Sequence, residues 1–167
     1  MKIRFEKSYR TWFGDKKFEM IKDAVTFFLD HHDLNKHSCA VDFYLDSHDL
    51  KDNGCSGLIS MHNRLNMAKI HVKSTIFTGD LLNTIFHELT HLKQHLVGDL
   101  KIEYNRDIWK GASFPVINFR SPNFKYKVYH ALPWEVEARE VAAEMVRLFK
   151  QSRSTKKTFW QKLKFWS

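Results

Sequence analysis

The chain has 167 residues, is 43% hydrophobic and 14% aromatic, and carries only 6 Gly and 3 Pro. That composition excludes a disordered or collagen-like chain, and the length suits one domain with one core. Lys and Arg number 27 against 19 Asp and Glu, a formal net charge of +8. The excess is local: no acidic residue follows Glu144, while seven basic residues stand from Arg147 onward, so residues 1–146 are close to neutral. The basic balance therefore does not point to a nucleic-acid-binding body. No apolar run is long enough to span a bilayer, and the opening Met1–Lys7 lacks the apolar core of a signal peptide. Cys39 and Cys55 form no C-x-x-C pair, so buried thiols in a reducing, cytoplasmic setting are the expectation.

In chain order, Phe18, Ile21, Val25, Phe28 and Leu29 recur at helical steps and predict a helix over 15–31. Residues 39–46 alternate and are rich in β-formers, which predicts a strand. Asn53-Gly54 is a turn signal. Two strands follow, Gly57–Met61 and Met67–Val72, joined through residues 63–66. In the second, Ile70 and Val72 alternate with Lys69, His71 and Lys73, the pattern of an edge or half-exposed strand. Its free edge would align an extended peptide. Lone His62, Arg64 and His71 read as surface residues, and Trp109 and Trp134 as core.

Leu81, Leu82, Ile85, Leu89, Leu92 and Leu96 predict a helix of about 79–97, capped by Thr78 or Asp80 and closed by Gly98. Short β-like pieces, 101–104 and 116–119, flank Trp109-Lys110-Gly111. Pro133 opens a helix to about 151. Ser152–Thr155 reads as a break before a short aromatic and basic helix. The order is that of an α+β domain over 1–151, with a separate tail over 152–167.

Within the central helix stands His87-Glu88-Leu89-Thr90-His91. Residues four apart on a helix lie on one face, one turn apart, so both imidazoles can reach one Zn²⁺ at about 2.0–2.1 Å. The ion lowers the pKa of its water to roughly 7, and Glu88 flanks that face as the general base. A catalytic zinc needs a third protein ligand. His95 lies about 6 Å further along the helix axis than His91, too far to share a tetrahedral ion. The metzincin pattern needs histidine at position 97, which is Val97.

The last helix begins Pro133-Trp134-Glu135-Val136-Glu137-Ala138. Glu135 and Glu137 point about 200° apart, so they cannot both face the ion. Small Ala138, three residues after Glu135, marks the close-packing face and favours Glu135 over Glu137. Tyr129 and His130, just ahead of this helix, are candidate donors to a developing oxyanion, and Tyr126 is a further option.

H-E-L-T-H followed by Gln94, then P-W-E-V-E-A on a later helix, resembles the minimal gluzincin-type metallopeptidases of phages and bacteria. The E-x-E-A core is similar to the E-x-x-A-D motif of larger zincins such as the CAAX-processing peptidases. The resemblance covers about residues 57–148. It implies a zincin-like α+β fold with a small antiparallel or mixed sheet, one zinc ion, and Glu135 as third ligand. The Asp that supports a ligand histidine in that pattern maps to Arg139, a departure that leaves Glu137 or Glu140 as substitutes.

These readings converge on a zinc metallopeptidase acting on a peptide or protein, with His87, His91 and Glu135 on the metal and Glu88 as base. Two alternatives stand beside it: a catalytically silent zincin-fold binding or regulatory protein, and an SprT-like DNA-associated protease. The second would use the tail, whose aromatic and basic residues suit nucleic acid or an anionic surface.

Overall fold

A computed structural model describes residues 1–5, 10–45, 56–62, 66–73, 78–116 and 126–164, without the side chains of 10–15, 126 and 155–164. The elements are β1 (Lys2–Phe5), α1 (Arg10–His31), a 3-10 turn (Leu34–Lys36), β2 (Ala40–Leu45), β3 (Gly57–His62), β4 (Met67–Val72), α2 (Thr78–Leu96), β5 (Leu100–Ile102), β6 (Arg106–Trp109), β7 (Ala112–Pro115), α3 (Tyr126–His130) and α4 (Pro133–Lys164). The class is mixed α+β.

The main sheet has the order β1-β2-β4-β3. β1, β2 and β4 run parallel, and β3 is antiparallel to β4. One face is apolar by simple alternation: Val41, Phe43 and Leu45 on β2, and Ala68, Ile70 and Val72 on β4, are all buried. Side chains of α1, α2 and α4 share one core with this face, α4 packing chiefly against α2. Phe28 of α1, Phe86 of α2 and Phe149 of α4 meet there, with ring centroids 6.0 Å apart for Phe28–Phe86 and for Phe86–Phe149. Each such side chain, fully buried, contributes about 1.5–3 kcal/mol.

Four expectations change. The sequence reading contained no strand at the N-terminus, yet Ile3 and Phe5 alternate as β1, and the Lys2 N–H donates to the Cys39 carbonyl at 3.0 Å. Met67–Val72 is not an edge: it lies between β2 and β3, so its alternation marks one helix-covered face and one polar face. Its His71 is buried rather than exposed, stacked on Tyr44 with centroids 4.8 Å apart. The edge strands are β1 and β3.

The run Ser152–Thr155 does not break α4, which continues to Lys164. Ser152 and Ser154 turn their hydroxyls back to the Phe149 and Lys150 carbonyls, at 2.8 and 3.1 Å. Serine so bonded is compatible with a helix interior. Among the described residues no helix is long and apolar enough to cross a membrane. Cys39 is buried, while Cys55, Asn53-Gly54, Arg64, most of 116–119 and the Tyr126 side chain lie outside the described residues.

The second sheet, β5-β6-β7, is a small meander. Lys110 (φ 47°) and Gly111 (φ 87°) form its β6–β7 turn, and two positive φ angles in a two-residue hairpin match strand twist. Trp109 sits 6.3 Å from Trp134, and Phe114 meets Trp134 edge-on at 5.3 Å. This apolar clamp fixes the hairpin against the start of α4.

Candidate metal centre

α2 supplies the first half of the site. Its apolar stripe, Leu81, Leu82, Ile85, Leu89 and Leu92, is buried, which turns the His87–His91 face toward α4. Gly98 closes the helix at φ 83°, where a residue with a β-carbon would be strained. α4 supplies the second half. Pro133 suits its first turn, and Ala138 and Ala142, both fully buried, leave room for the two helices to approach closely.

That approach brings His87, His91 and Glu135 together. His87 Nε2 is 3.3 Å from Glu135 Oε2, His91 Nε2 is 3.1 Å from Glu135 Oε1, and the two Nε2 atoms are 3.1 Å apart. A tetrahedral ion with bonds of about 2.0–2.1 Å spaces its ligand atoms about 3.3–3.4 Å apart, so this triangle fits one ion with little adjustment. The donor chemistry agrees: two imidazole nitrogens turned to one carboxylate need a proton or a cation between them. The group is placed to hold a metal ion.

Burial would raise the Glu135 carboxyl, but bonds from His87, His91 and the Tyr129 hydroxyl outweigh it and hold the group well below the usual carboxylate range. Burial would lower His91, but its bond to Glu135 and the nearby Glu88 charge raise it. Both shifts favour the charged partners of an ion pair, the same local field that holds a cation. The His87 side chain keeps 20% of its surface in solvent, so the site is open on that side.

Glu88 is buried at the root of β3. Burial raises its pKa, only partly opposed by His91 and His87. Gly57, the first residue of β3, lies against it: a β-carbon there would stand 2.5 Å from Glu88 Oε1 and 2.7 Å from Thr84 Cγ2. No sequence signal marks this contact, because it depends on how the sheet edge meets α2.

Glu137 lies outside this group. It accepts from Gln94 Nε2 at 2.8 Å and pairs with Lys110 Nζ at 3.0 Å. Glu140 is exposed, so it is not placed as a direct support of a buried histidine. Gln94 contacts His91 instead, with Oε1 2.8 Å from Nδ1, and its Nε2 donates to the Trp134 carbonyl at 3.0 Å. Sequence reasoning left Gln94 without a structural role. Its spacing, three residues after His91 on the same helix face, was the available signal.

Tyr129 and His130 part company. Tyr129 donates its hydroxyl to Glu135, which places it at the donor group. His130 is not brought into that group: its Nδ1 meets Arg139 Nη1 at 3.0 Å, and Arg139 also donates to the His130 carbonyl. Arg139 thus pins the α3–α4 corner. His95 is half-buried, and burial lowers its pKa to about 4, in keeping with a packing role. Comparison with known proteins finds no matching family model, curated protein or solved structure.

Proposed function

We propose that the chain is a zinc-dependent metallopeptidase with a zincin-like fold. The observation that carries this reading is the convergence of His87, His91 and Glu135 at ligand spacing, with Glu88 on the same helix. Two imidazoles and one carboxylate form a donor set suited to Zn²⁺, leaving the fourth position for water or substrate. When bound, the ion supplies Lewis acidity and a water of lowered pKa.

The chain's own residues supply the rest. Glu88 takes the proton released on attack at the amide carbonyl. Glu88, buried on the same helix as the two histidines, later returns that proton to the leaving amine. Tyr129 holds the Glu135 carboxylate. β3 offers the peptide an edge. The bond from Lys73 N–H to the Ser56 carbonyl sets the alternation, so the N–H and C=O of Gly57, Ile59 and Met61 point away from β4. An extended chain paired there would pass beside Glu88.

The test is hydrolysis of an unstructured protein by the zinc-loaded chain and by its Glu88→Gln variant. Wild-type cleavage, lost in the variant while zinc binding is retained, is the expected result. Equal zinc binding with no cleavage by either form would favour the catalytically silent reading.

A further inference from the structure

A ligand histidine can offer Nε2 to a cation only if its proton sits on Nδ1. At His91 the atom beside Nδ1 belongs to the Gln94 side chain, 2.8 Å away. An amide can present either end there. Its oxygen would accept the Nδ1 proton. Its NH₂ would drive that proton to Nε2, against the cation.

The far end of the same amide decides between them. It lies 3.0 Å from the Trp134 carbonyl oxygen and 2.8 Å from Glu137 Oε2. A peptide carbonyl only accepts, and so does a carboxylate. The end that faces them must therefore be NH₂, and the end at His91 must be oxygen. Reversing the amide would set an oxygen against two oxygens in a fully buried space, since Gln94 has no exposed surface. Glu137 is itself fixed, because Lys110 in the β6–β7 turn holds its other oxygen at 3.0 Å.

We infer that Gln94 is a positioning residue of the metal centre, selecting the His91 tautomer that leaves Nε2 free for the cation. The Trp134 carbonyl and Glu137 set the direction of the amide, and Lys110 steadies Glu137. The chain of contacts crosses three elements: α2, the start of α4 and the β6–β7 hairpin. It supports the second histidine of the helix through an amide, while Arg139 turns away to His130. The inference rests on the metal-centre half of the proposed function and not on peptide hydrolysis.

The test uses the full chain, ¹⁵N-labelled at histidine, with Zn²⁺ alone as probe. Long-range ¹H–¹⁵N spectra report which nitrogen of His91 carries the proton, and chelator competition reports zinc affinity. The expected result for the loaded wild type is a proton on Nδ1 that exchanges slowly, with Nε2 on the metal. Gln94→Leu should weaken zinc roughly 10- to 100-fold and speed exchange of the Nδ1 proton.

A loaded wild type with the His91 proton on Nε2 overturns the inference, even if Gln94→Leu fails to fold. So does a folded Gln94→Leu with wild-type affinity and exchange. A chain that takes up no zinc overturns both this inference and the metal centre. Zinc uptake with the expected tautomer but no proteolysis overturns only the peptidase reading.

Discussion

Gly57 and Glu88 are in contact across the junction of the sheet edge and the central helix: a β-carbon at position 57 would come within 2.9 Å of Glu88 Cγ and closer still to its Oε1. The residue that begins the edge strand therefore sets where the candidate base can stand. Glycine is required by space here, not by a left-handed backbone. Gly57→Ala must push Glu88 or Thr84 aside. The expected outcome is a loss of turnover of about 10²-fold or more, since a displaced base forfeits its share of acid–base catalysis. Zinc affinity should stay close to wild type, because His87, His91 and Glu135 are not displaced. Steady-state kinetics beside chelator competition check this, and unchanged turnover would contradict it.

Tyr129 acts through Glu135. Removing its hydroxyl takes away one of the groups that keep the buried carboxylate charged. Tyr129→Phe should weaken zinc binding roughly tenfold, the lower end of the effects seen when a ligand's hydrogen-bond partner is lost. His130→Ala should change zinc affinity less than Tyr129→Phe, because His130 Nδ1 meets Arg139 and its ring packs edge-on against Tyr129. Chelator competition on both variants separates the two residues.

On the proposed peptidase reading, the substrate register follows from β3. Main-chain pairing with its outward-facing N–H and C=O groups predicts weak side-chain selectivity but strong dependence on substrate amides. Peptides N-methylated at alternate positions beside the cleaved bond should show raised KM with kcat little changed. Methylation that leaves KM untouched would remove β3 as the docking edge. Prolines placed in β4, by contrast, should unfold the domain, since β4 pairs on both sides.

His32 gives a pH dependence of stability unrelated to the metal. Its ring packs 4.5 Å from Phe28, and among the described residues its buried Nε2 has no hydrogen-bond partner. Burial, helped by the charge of Lys93, lowers its pKa to about 4 from the ordinary 6.5. Between those values the unfolded chain holds a proton that the folded one lacks, so this contribution to stability is intact above pH 6.5 and falls as pH drops toward 4. His32→Phe should therefore raise Tm more at pH 5 than at pH 8. Equal shifts at both pH values would show that His32 does not titrate in this window.

Much was legible in the chain itself. Leu81 to Leu96 recur at helical steps, and His87, Glu88 and His91 sit inside that run. One helix thus fixes their relative direction whatever surrounds it, because i and i+4 positions always share a face. Helix geometry also showed that Glu135 and Glu137 cannot both serve one ion, and small Ala138, three residues after Glu135, marked the close-packing face that favours Glu135. Local rules also placed Gly98 at the end of α2, whereas the turn at Lys110-Gly111 emerged only from the pairing of Arg106–Trp109 with Ala112–Pro115.

What local rules could not reach is everything set by neighbours far along the chain. Alternation in Met67–Val72 is the same for an edge strand and for an inner strand with one helix-covered face. Only pairing with β2 and β3 decides between them. Ser152–Thr155 looks like a break until the hydroxyls find carbonyls one turn back. The roles of Gln94, Gly57 and Tyr129 exist only where two elements meet. Periodicity orients a side chain about its own helix or strand, whereas the distance to a partner 40 residues away is set by packing, and packing is a property of the folded whole.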